Sequence, residues 1–244
     1  MSKTYKQEDQ HRDNVEKYST LIGICKDLGE RYTPANQEIS LSELKRLLLE
    51  YHGLMKSLKD YRLYLHEAIR KREQLIDSFQ EVADCLCAVI YDDSSGGFAT
   101  ASLLRGIGSK TSGPSIIETI ETDEDNILKE LKQISVRQNT YDGRISQAKR
   151  LVSSLQKSDS AMDLEGDIKV FQSLLSALER SNGEIHAWQN DLFKLLDQRH
   201  KLLYSPLRGM VDRARAAIAY LQYELKPPIL YISEQLAGLR FRKL

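Results

Sequence analysis

From Leu41 the apolar residues fall at Leu41, Leu44, Leu48, Tyr51, Met55 and Leu58, and then at Leu65, Ile69 and Ile76. The steps alternate three and four. That spacing draws one stripe along an α-helix, whereas a strand turns successive side chains to opposite faces and cannot use it. A stripe that stays in phase this long must be covered by other helices, so it predicts an all-α fold with coiled-coil-like seams. Arg62 and Arg72 stand on seam positions that would otherwise be apolar. Ser40-Leu41-Ser42-Glu43 reads as a capping box that starts the helix. Ser40 would accept from the Glu43 amide, and the Glu43 carboxylate would return to the Ser40 amide. Residues 31–39 hold Pro34 and Asn36 and read as a connection.

The second half of the chain repeats this pattern. Arg72-Glu-Gln-Leu75-Ile76-Asp-Ser78 and Arg199-His-Lys-Leu202-Leu203-Tyr-Ser205 are offset by 199 − 72 = 127 residues. At that offset Leu44 meets Phe171, Leu48 meets Leu175, Tyr61 meets Trp188 and Leu65 meets Leu192, and the register survives the intervening loop. Self-similarity of this kind marks a duplicated unit. The domain expectation is therefore a first helical unit at 1–110 and a second at 111–244, sharing one bundle core. Four long helices are expected at roughly 5–30, 41–77, 123–157 and 164–204, packed as an elongated antiparallel bundle. Ser78 opens a second capping-box pattern, Ser-Phe-Gln-Glu, and Pro206 follows Ser205. Both units are thus expected to break or kink at the equivalent serine, with Pro206 at the first position of a new helix. Asp92–Gly97 and Gly106–Ser115 read as turn and loop, Glu121–Asp125 as an acidic helix start, and Lys226–Pro228 as a helix stop.

Composition removes several functions. Lys plus Arg and Asp plus Glu are both 35. The chain lacks the basic excess with which nucleic-acid binders neutralise phosphate, so no nucleic-acid partner is expected. The three cysteines, Cys25, Cys85 and Cys87, are an odd set with no disulfide framework, and no second Cys or His pair stands at metal-ligand spacing. The five histidines form neither His-Glu-x-x-His nor a repeated Glu-x-x-His, so no metal and no other cofactor is expected. Gly-Ile-Gly-Ser-Lys-Thr at residues 106–111 misses the phosphate-loop pattern, because Ser109 separates Gly108 from Lys110 and no strand precedes it. No Gly-x-Ser-x-Gly elbow occurs. The first residues contain no signal-peptide core, and no apolar run is long enough to cross a bilayer. The localisation expectation is cytoplasmic.

Arg72 and Arg199 are the candidate site residues. Each occupies a seam position, where a guanidinium loses hydration unless carboxylates or carbonyls satisfy it. They could bind a ligand as a symmetric pair, or set helix register as structural groups, and the structural role is preferred. The basic tail, Gly238 to Leu244, carries Leu239 and Phe241, which should pack back on the bundle; a docking peptide or a membrane contact is the alternative.

Tyr32-Thr33-Pro34, Arg199 to Ser205 and Gln235 to Phe241 together resemble bacterial tandem-helical proteins of uncharacterised activity. The first unit departs from that pattern at Leu103–Ser109, where the aromatic is missing. The resemblance implies an all-helical duplicated fold and supplies no activity and no site residues. The functional expectation is a non-enzymatic helical-bundle binding or scaffold protein whose partner is another protein or itself. The alternatives are a membrane-active bundle, pore-forming or lipid-perturbing, and an enzyme with an unrecognised site.

Overall fold

The computed structural model describes residues 3–93, 127–156, 165–224 and 235–242. The sequence features at 94–97, 106–115, 121–125 and 226–228 lie outside the described residues. Those described are 89% helical and include no strand, so the fold is all-α. In chain order the helices are α1 (Lys3–Asp27), α2 (Leu41–Asp93), α3 (Ile127–Leu155), α4 (Glu165–Tyr204) and α5 (Met210–Ala219). A π-helical turn, Tyr220–Glu224, directly follows α5.

Three of the four expected long helices match their sequence signals closely. The fourth, α2, does not break at Ser78. It runs through that serine, whose Oγ donates back to the Gln74 carbonyl at 3.4 Å. The reason lies in the stripe itself. Ile69, Arg72, Ile76 and Phe79 continue the three-four spacing, and all are buried. Phe79 meets the Phe171 ring at 4.5 Å between centroids. A cap signal does not stop a helix whose apolar face is still in phase and still covered. At Ser205 the break does occur, because Pro206 cannot extend the ladder. Pro206 then lies in a turn rather than opening a helix, and Gly209 occupies the N-cap of α5.

The chain divides into two compact units, residues 1–60 with 192–244 and residues 61–191. Each draws on both of the sequence units, 1–110 and 111–244. The first compact unit holds α1, the start of α2, the end of α4, α5 and the C-terminal tail, around Tyr18, Leu21, Cys25, Leu44, Met210 and Ala214. Its α1–α2 connection is tied internally. Gly29 takes φ +52°, Asn36 Oδ1 accepts from the Glu38 amide at 3.0 Å, and Tyr32 Oη donates to the Ile39 carbonyl at 2.6 Å. The Ser40 cap forms only half of the expected box. Its Oγ accepts from Glu43 N at 3.3 Å, but the Ser40 amide is taken by the Gln37 carbonyl in a 3-10 turn. The Glu43 carboxylate is thereby left to Arg46 at 2.8 Å and to the buried Arg213 at 2.5 Å. These two cations hold its carboxyl down, to about 2.

The second compact unit holds the rest of α2, α3 and the start of α4. Its core gathers Ile76, Phe79, Ala148, Ile168, Phe171 and Leu175.

Candidate functional site

Arg72 lies in the second compact unit and is 2% exposed. Its Nη1 donates to Asn182 Oδ1 at 3.0 Å, and its Cζ stands 4.0 Å above the Tyr141 ring. Asn182 turns its amide nitrogen to Asp142 Oδ1, and His186 Nε2 is 3.1 Å from Asp142 Oδ2. The chemistry fixes this order: a guanidinium only donates and a carboxylate only accepts, so the amide must face them with oxygen and nitrogen respectively. The result is a relay from a buried cation to a half-exposed Asp–His pair. The cavity beside it, lined by Arg72, Phe79, Tyr141 and Leu175 among others, measures about 20 Å³. That is room for a single water molecule, not for an organic ligand.

The other seam cation of α2 also finds a partner. Glu130, 6% exposed, receives Arg62 Nε at 3.0 Å and Arg62 Nη2 at 2.9 Å, and His66 Nε2 contacts its other oxygen. Tyr61 and Trp188, paired by the sequence offset, meet edge to face at 5.5 Å, and Tyr64 lies against Trp188 at 5.2 Å. These rings fill one another's faces.

Arg199 lies in the first compact unit, buried on α4. It belongs to the surroundings of His11, a buried histidine of α1 whose Nδ1 is 2.8 Å from Tyr204 Oη. Burial, then the charge of Arg199, then that of His200, hold His11 down to about 3. Asn14, one turn further along α1, also donates to Tyr204 Oη, at 3.2 Å.

Asn14 does something more specific. Its Nδ2 donates to the Arg242 carbonyl at 2.9 Å, and its Oδ1 accepts from the Arg242 amide at 3.2 Å. The side chain thus pairs with one residue's main chain as a neighbouring strand would. Lys17 Nζ reaches the Arg240 carbonyl at 3.1 Å, and Arg215 Nη2 of α5 reaches the Phe241 carbonyl at 2.8 Å. Phe241 is buried and Leu239 packs on the same core, while Arg240 and Arg242 are exposed. The sequence anticipated the inward packing of Leu239 and Phe241. It did not single out Asn14, Lys17 or Arg215. A signal existed for the first: His11, Asn14, Tyr18, Leu21 and Cys25 form a three-four stripe, and polar groups on such a stripe need partners.

Arg72 and Arg199 therefore sit in different compact units, each among polar partners from neighbouring helices. Among the described residues no group of three or more His, Cys, Asp or Glu could hold a metal ion, and no helix is long and apolar enough to cross a membrane. Fold and site together define an all-α protein with a clasped C-terminal segment. No protein-family model, curated protein or solved structure matches the chain.

Proposed function

We propose that this chain is a non-enzymatic helical binding or scaffold protein, acting on another protein or on a second copy of itself. The observation that supports it is the clasp on residues 240–242. Three side chains from two helices are spent on main-chain atoms of these residues. Recognition of backbone, with one buried aromatic for specificity, is how proteins bind extended peptides. The polar groups that could have suggested chemistry are instead tied into internal networks around Arg72, Glu130 and Arg213. A cytoplasmic setting accompanies this reading, supported by the free thiols of Cys25 and Cys85.

The reading includes duplication, the feature shared with the tandem-helical proteins that the sequence resembles. Its support is burial. Leu44 and Phe171, Leu58 and Ile185, Leu65 and Leu192, and Arg72 and Arg199 are all buried at the 127-residue offset. So are Leu21 and Ala148 on α1 and α3.

The test is selection of displayed random peptides on the full-length chain carrying Phe241→Ala, which vacates the seat that Phe241 fills. Recovery of a consensus with a central aromatic is expected, and repeated selection with no enrichment would refute the reading. Dye release from liposomes separates it from the membrane-active alternative, with no release expected.

A further inference from the structure

We infer that the cleft between α1 and α5 is a peptide-binding site held closed by the chain's own tail, and that its partner is a peptide segment of pattern Leu-x-aromatic-x. The inference rests on the binding-protein reading above and specifies its ligand. The tail is a seated ligand, so the site's preferences can be read from it. Leu239 and Phe241 go inward, and Arg240 and Arg242 go outward. The four hydrogen bonds to residues 240–242 all end on main-chain N or O atoms. The cleft therefore specifies the two inward side chains and leaves the outward positions open. Any segment with leucine and an aromatic residue two apart, able to turn at the leucine as the tail does where the Leu239 amide donates to the Leu236 carbonyl at 3.0 Å and the Arg240 amide to the Gly238 carbonyl at 3.1 Å, can offer the same groups.

Asn14 is the centre of the clasp, since it alone reads both an amide and a carbonyl. Its amide nitrogen is shared with Tyr204 Oη, which His11 contacts in turn. Arg215 and Lys17 flank it at the two preceding carbonyls. The tail holds the cleft as a tethered competitor. Because the tail belongs to the same chain, a free peptide competes with an intramolecular ligand and binds poorly until the tail is weakened.

The probe is a fluorescent peptide of residues 235–242, Gln-Leu-Ala-Gly-Leu-Arg-Phe-Arg, titrated by anisotropy into the full chain. Two full-length variants open the cleft differently: Phe241→Ala empties the aromatic seat, and Arg242→Pro removes the amide that Asn14 accepts. Each should bind the peptide about ten-fold or more tighter than the unmodified chain does. Adding Asn14→Ala to either should abolish the gain. Equal peptide binding by the unmodified chain and by variants of unchanged circular dichroism would overturn the inference. If both variants lose helicity, hydrogen exchange on the unmodified chain decides. Peptide at about 1 mM should speed exchange of the tail amides by competing for their seat. Unchanged tail exchange overturns the inference. Peptides selected by the Phe241→Ala chain that leave tail exchange of the unmodified chain unchanged would overturn this inference alone and keep the binding-protein reading; failure of that selection removes both.

Discussion

His11 shows how a single buried side chain couples the clasp to pH. In the folded chain its ring stays neutral, with Nδ1 2.8 Å from Tyr204 Oη, a hydroxyl that accepts from Asn14. Unfolded, the same ring would protonate near 6.5. Between about 3 and 6.5 the unfolded chain thus binds a proton that the folded chain refuses, so stability rises with pH across that window and is flat above it. Glu43 adds a loss of its own as pH falls from 4.5 towards about 2, so the histidine is best read above pH 5. Urea melts of the chain should lose about 1–2 kcal/mol between pH 6.5 and 5, and His11→Gln should flatten that slope. An unchanged slope in the variant would show that His11 does not carry the effect. The sequence displayed His11 and Asn14 as polar members of an apolar stripe. It could not display their partners, because Tyr204 stands 193 residues from His11 and Arg242 stands 228 from Asn14. Arg62 and Arg72 were legible as seam cations for the same local reason, and Glu130 and Asn182 were not.

At the scale of elements, the turn between α4 and α5 stores the clearest strain among the described residues. Leu207 takes φ 65° and is 79% exposed, so a β-carbon is forced into the left-handed region with no packing to offset it. Two residues on, Gly209 has no room for a side chain: an added Cβ would lie 2.7 Å from Ser205 N and 2.8 Å from Leu203 O. Opposite outcomes follow at neighbouring positions. Leu207→Gly should stabilise the fold by about 1 kcal/mol, since it relieves the left-handed conformation and loses little burial. Gly209→Ala should destabilise it by more than about 2 kcal/mol, because the clash is with backbone that cannot swing aside. Thermal melts of the two variants check the signs, and a stabilising Gly209→Ala would contradict the geometry. The end of α4 was visible in the sequence through Pro206, whereas the turn that follows it and the continuity of α2 were not. Capping-box residues are a local preference of about 1 kcal/mol, and burial of Ile76 and Phe79 on an unbroken stripe outweighs it.

For the molecule as a whole, the question is whether two compact units also make two cooperative units. The division falls inside helices rather than at loops: α2 continues through residues 60 and 61, and α4 through residues 191 and 192. A helix can end at an internal division only by exposing a new set of unsatisfied amides and carbonyls. Unfolding one unit alone would require that at two helices together. A single transition is therefore expected, despite two separate cores. Leu44 and Phe171 make the sharpest probes. Both are fully buried, one in each core, and they occupy equivalent positions at the 127-residue offset. Truncation to alanine should cost about 2–5 kcal/mol at Leu44 and about 3–5 kcal/mol at Phe171. Each should lower the same transition, seen alike by far-ultraviolet circular dichroism and by the fluorescence of Trp188, which lies in the second unit. If Leu44→Ala shifted the dichroism but left the tryptophan signal in place, α2 would be yielding between the units and each would melt alone. If both probes move together for both variants, continuity of α2 and α4 is what binds the two cores into one folding unit. Peptide release at the clasp would then be a local event within the first unit, free of the stability of the second.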